Sequence, residues 1–76
     1  MNTVNLKFFV DHLNKLIKDA YELREKGEIH EYECVDWRIH GMLSTLYMFD
    51  IIESETLDSV YEKVRKGEKV KISDFQ

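Results

Sequence analysis

Apolar residues return every three or four positions from Leu6 to Tyr21. Leu6, Phe9, Val10, Leu13, Leu16, Ile17, Ala20 and Tyr21 share one stripe, which predicts an amphipathic helix over residues 3–26. Thr3 or Asn5 is its candidate N-cap, and Gly27, after the charged run ELREK, is its stop signal. The pattern resumes after Gly27 and predicts a second helix over 30–50. One face of that helix carries Val35, Ile39, Met42, Leu46 and Phe49. A second stripe, Trp37, Gly41, Ser44 and Met48, falls roughly opposite at about 100° per residue. A helix that is apolar on two sides is expected to be central, with neighbours on both.

The stretch DIIESETLDSVYEKVRKG predicts a third helix over 54–66. Ser54 is its candidate N-cap. Glu55 and Asp58 in the first turn and Lys63, Arg65 and Lys66 in the last suit the helix dipole. Leu57, Val60, Tyr61 and Val64 form a narrow stripe, and Gly67 ends the element. Beyond it Val70 and Ile72 alternate like a strand, but a lone strand has nothing to pair with. Residues 68–76 are therefore expected to form an extended tail. Its Ile72 and Phe75 either pack on the helices or pair with a second copy. The chain has no proline, which suits uninterrupted helices. Short turns make consecutive helices antiparallel. The expected fold class is all-α: one small three-helix bundle over residues 1–76, with helix 2 central and an extended C-terminal tail.

Length sharpens the question of what the second stripe packs against. At 76 residues, a core supplies only about 3–5 kcal/mol, and such domains often add disulfides, a metal or a second subunit. Cys34 is the single cysteine, so no internal disulfide forms. A secreted domain this small is expected to carry several, which predicts a cytosolic protein. The opening MNTVNLKFFVDHL matches neither a signal peptide nor a lipidation motif. The apolar stretch 35–52 is interrupted by Asp36, Arg38, His40 and Asp50, whereas a membrane span needs about 20 nearly uncharged residues. A mid-helix glycine such as Gly41 costs about 1 kcal/mol relative to alanine. With Ser44 one turn on, it lowers the surface so that another helix can approach closely. The competing reading is a tolerated glycine or a kink.

The net charge of −4 is unevenly spread. Residues 28–58 carry eight acidic groups and one basic group, while the flanking segments are mildly basic. An acidic centre argues against a phosphate backbone as partner. Residues 50–66 can be read as the second half of a helix-turn-helix, but the would-be recognition helix opens with SETLD, negative at the end that would meet DNA. A small DNA-binding regulator is therefore the secondary reading.

Candidate chemistry is sparse. His30 and Cys34 stand four apart beside Glu31 and Glu33, as metal ligands do, but no second Cys or His pair completes a site, and no metal or cofactor is expected. His12 can approach His40 only if helices 1 and 2 pair. Cys34, His30 and Asp36 provide nucleophile, base and orienting types without a supporting loop, so the chain is not expected to be an enzyme. Phe8 lies off the helix 1 stripe and Trp37 on the outer stripe of helix 2. Large aromatics away from a core are preferred interface anchors. The expected interface is Phe8, Trp37, Gly41, Ser44 and Met48, with Glu31 and Glu33 supplying its acidic character.

The segment GMLSTLYMFDIIESETLDSVYEKV, with its Ile-x-Ser-Glu turn between an apolar helix and an acidic-to-basic helix, resembles small helical accessory proteins of phages and mobile elements of Gram-positive bacteria. The resemblance covers roughly half the chain and carries over no functional residue. It implies a protein that binds, and inhibits, a host or defence protein. The expected activity is thus protein–protein contact, with a homodimer as the expected assembly and no membrane association.

Overall fold

A computed structural model describes residues 3–76, with side chains from Asn5 onward. Three helices follow in order: α1 over Thr3–Glu25, α2 over Ile29–Met48 and α3 over Ser54–Arg65. A single 3-10 turn, Ile72–Phe75, closes the chain. Among the described residues there is no strand. The expected all-α three-helix architecture is present, and α2 touches both α1 and α3.

The core is built from the predicted stripes. Leu6, Val10, Leu13, Leu16, Ile17 and Ala20 of α1 are buried against Ile39, Leu43 and Leu46 of α2 and Val60 of α3. Ile52, Val70 and Phe75, from the connection and the tail, complete it. Leu43 was not on the predicted face of α2. It stands one turn from both Ile39 and Leu46, and packing against two neighbours widens the apolar arc to include it. Phe49 leaves the predicted face: it is the C-cap of α2 and 73% exposed, because the helix ends two residues earlier than the periodicity suggested.

All three helices end in the same way. Gly27, Asp50 and Gly67 adopt left-handed φ of 75°, 58° and 71°. Each gives its N–H to a carbonyl three residues back: Gly27 to Arg24, Asp50 to Tyr47, Gly67 to Val64. The next residue reaches five back: Glu28 to Leu23, Ile51 to Leu46, Glu68 to Lys63. These are Schellman closures, which satisfy carbonyls left over at a helix end.

The starts differ from expectation. Ser54 is not the N-cap of α3 but its first helical residue; Glu53 occupies the cap position without a side-chain cap bond. Asn5 lies within α1 rather than before it. The capping expected of Thr3 falls outside the described side chains.

The tail is extended only up to Lys71. Its end coils because the Asp74 carboxylate accepts the Lys71 backbone N–H at 2.7 Å, and the Asp74 N–H returns to the Lys71 carbonyl at 3.0 Å. Lys63 of α3 donates to both Asp74 oxygens, at 3.0 and 2.9 Å. Partial burial pushes the Asp74 carboxyl toward its protonated form. The Lys71 N–H, then the Lys63 hydrogen bonds and the charges of Lys63 and Lys71, outweigh it and hold the pKa below the usual 3.8. Phe75 then drops into the core, edge-on to Phe9 with centroids 5.8 Å apart. Ile72 is half-buried against the same cluster.

Candidate functional site

Two places stand out: the outer side of α2 and a polar cluster between α2 and α3.

The outer side of α2 is open. Trp37 is 75% and Met48 77% exposed. A Cβ added at Gly41 would meet nothing within 4 Å, so the glycine is not spared for a neighbour inside the chain. This corrects the expectation that helices cover α2 on both sides. Helix α3 is short, and it meets α2 along the flank that carries His40 rather than over Trp37. Thr45 Oγ1–H donates to the Gly41 carbonyl at 2.8 Å, an extra bond on the same exposed side. Trp37, Gly41, Ser44 and Met48 therefore share one face, with Ser44 half-buried at its edge. Glu33 lies on the margin of that face. Glu31 projects farther round the helix, and both are exposed. Phe8 is 72% exposed on the side of α1 turned from the core, so it belongs to a different helix surface.

The polar cluster escaped the sequence reading. His40 Nε2 lies 3.2 Å from Asp36 Oδ2, and His40 Nδ1 lies 3.1 Å from the Tyr61 hydroxyl. A carboxylate can only accept, so Nε2 carries the proton and Nδ1 accepts from Tyr61. The His40 and Tyr61 rings also stack obliquely, with centroids 4.9 Å apart. These residues, with Tyr32, Asp58 and Arg65, line a cavity of about 450 Å³. Both imidazole nitrogens are thus engaged by side chains of the protein itself. The cluster ties α3 to α2. The i, i+4 spacing of Asp36 and His40 was a legible signal; the arrival of Tyr61 was not.

A second cavity, about 650 Å³, lies where the tail crosses α1, between Ile17, Tyr21, Lys18, Gly67 and Lys69. Tyr21 forms its wall by lying across Gly67. His12 is exposed on α1, whereas His40 pairs with Asp36 and Tyr61. Cys34 is exposed and His30 is exposed beside it. Among the described residues no three His, Cys, Asp or Glu side chains converge as metal ligands. None of the helices is long and apolar enough to cross a membrane, among the same residues.

Fold and surface together define a small all-α protein with an exposed aromatic face on its second helix. No protein-family model, curated protein or solved structure matches the chain.

Proposed function

We propose that this protein is a small binding module that works by protein–protein contact, with the outer face of α2 as its contact surface. The observation that carries the reading is the exposure of Trp37 and Met48 on either side of Gly41, on a helix whose other side is fully committed to the core. A large aromatic and a flexible thioether flanking a bare backbone make a surface suited to an incoming helix. Glu33 at the margin gives the rim an acidic character. The single exposed cysteine and the lack of a disulfide framework support a cytosolic setting. The likeness of residues 41–64 to phage and mobile-element accessory proteins supports a host or defence protein as a target that the module inhibits. DNA binding is the weaker alternative, because Glu55 occupies the first turn of α3 and its basic residues lie at the far end.

The test compares proteins retained from a source-cell lysate by the wild-type chain and by a Trp37→Ala, Met48→Ser variant that keeps its helical circular dichroism. A specific protein lost by the variant supports the reading. Equal retention by both would remove the α2 face as the contact surface.

A further inference from the structure

The exposed face of α2 continues beyond Trp37 and Met48. At alternating steps of four and three it runs His30, Cys34, Trp37, Gly41, Ser44, Met48, the spacing of a coiled-coil seam. The core-facing residues Ile39, Leu43 and Leu46 occupy the opposite side. One helix thus carries a core stripe and a complete second seam.

We propose that the occupant of this seam is a second copy of the chain, docked antiparallel through a two-fold axis near residue 39. The proposal rests on reading the outer face as a contact surface, and a second copy seated there competes with any other protein for it. The register follows from the sequence of large and small side chains. If Trp37 of one copy lies over Gly41 of the other, two-fold symmetry makes the same contact again on the other side of the axis. The bulkiest side chain on the seam then meets the one position that has no side chain. The next layer pairs Cys34 with Ser44, two small residues that let the backbones approach. The outermost pairs His30 with Met48. In this register two helices spanning Ile29–Met48 overlap along their whole length, and no seam position is left over. On one flank Glu33 stands within one turn of the level of Tyr47 of the second copy, whose hydroxyl can donate to its carboxylate. Arg38 faces its own copy near the axis; both guanidinium groups are exposed and can turn to solvent, so the repulsion is small.

Surface area points the same way. The chain exposes 5402 Å². A monomeric globular protein of 9.1 kDa is expected to expose roughly 4900 Å². The surplus is about 500 Å² per chain. A helix seam about 27 Å long, closed against its copy, removes roughly 400–500 Å² from each protomer. A total of about 800–1,000 Å² lies below the standard size of specific interfaces and in the range of weak, reversible ones, so the dimer is expected to be transient rather than obligate.

Sedimentation equilibrium of the full chain across micromolar concentrations tests this. The expected result is a reversible monomer–dimer equilibrium. Trp37→Ala and Gly41→Leu are each expected to weaken it at least tenfold. Gly41→Ala is expected to raise the melting temperature measured on dilute monomer, because its methyl enters open space, and at the same time to weaken the dimer. These opposite signs separate docking from folding. Register is read by Ser44→Cys under oxidised glutathione, with Cys34 as the only other thiol. Cross-links between Cys34 and the new thiol at position 44 of the other copy are expected. A Cys34–Cys34 link is not, since antiparallel docking sets those residues about 15 Å apart along the axis. A wild-type chain that stays monomeric overturns the second copy as occupant, while loss of a lysate partner from the Trp37→Ala, Met48→Ser variant would still uphold the contact face. A dimer indifferent to Trp37 and Gly41 overturns the seam as its interface and leaves the contact face to the lysate comparison. A dominant Cys34–Cys34 link overturns the antiparallel arrangement.

Discussion

The side-chain amide of Asn14 brackets the peptide group of Val70. The Val70 N–H donates to Asn14 Oδ1 at 2.8 Å, and Asn14 Nδ2 donates to the Val70 carbonyl at 2.9 Å. Asn14 sits in α1 and imitates a neighbouring strand for a tail that has none. The bond pair brings residues 56 apart into contact and seats Val70, 2% exposed, in the core.

Asn14→Ala should therefore destabilise the fold by about 1–3 kcal/mol, because it leaves both polar groups of a buried peptide without partners. Asn14→Asp should be nearly as costly, since a second carboxylate oxygen would face the Val70 carbonyl. Urea midpoints measure both. A change under about 0.5 kcal/mol for Asn14→Ala, the range of ordinary surface substitutions, would mean that water replaces the amide without loss.

Gly67 and Gly27 share a left-handed φ but differ in surroundings. A Cβ on Gly67 would stand 2.5 Å from Cδ2 of Tyr21, while one on Gly27 meets nothing within 4 Å. Gly27→Ala is expected to cost about 1 kcal/mol, from backbone conformation alone. Gly67→Ala should cost about 2–3 kcal/mol, because Tyr21 must also move. In a Tyr21→Ala background the two alanine substitutions should converge. Thermal denaturation of the set reads the difference, and equal costs in the wild-type background would dismiss the Tyr21 contact.

Asp50 occupies the same closing position at the end of α2, with φ 58° and an exposed side chain. Replacing it by glycine relieves left-handed strain. Asp50→Gly is expected to raise stability by about 0.5–1 kcal/mol, less than the full strain because glycine loses more backbone entropy on folding. A lower urea midpoint would reveal a stabilising role for the carboxylate.

Asp74 predicts the acid side of the stability curve. Its pKa is depressed in the folded protein. The unfolded chain therefore binds the proton more readily, and the stabilisation is present above pH 3.8 and lost as pH falls through the folded value. Asp74→Asn should lower stability by about 1 kcal/mol at neutral pH. It should also flatten the decline below about pH 4 relative to wild type. Parallel curves for the two proteins would show that Asp74 is not the group responsible.

Leu43→Ala addresses the part of the core that periodicity assigned least well. Leu43 is fully buried, and the truncation should cost about 2–5 kcal/mol. Leu46→Ala should fall in the same range. Gly41→Ala, on the open side of the same helix, should have the opposite sign.

The helices, their order, two of the three left-handed stops and the core stripe on α1 were legible in the linear pattern. These depend on neighbours three and four residues apart, so a linear pattern is sufficient to express them. It also marked Trp37, Gly41 and Met48 as a second stripe, but not whether a helix of the same chain would cover it. That depended on the length and placement of α3, which reaches the His40 flank and leaves Trp37 in solvent. Contacts joining distant segments were likewise decided only in the tertiary structure: Asn14 on Val70, Tyr61 on His40, Tyr21 over Gly67, Lys63 on Asp74. Each needs two elements to meet at a particular height and rotation, set by the packing of the whole core rather than by any local period. The tail shows the division most simply. Its alternation of Val70 and Ile72 was legible as extended chain, but an extended chain requires backbone partners. A side chain on α1 supplied them, and a carboxylate four residues from Val70 turned the remainder into a helical cap.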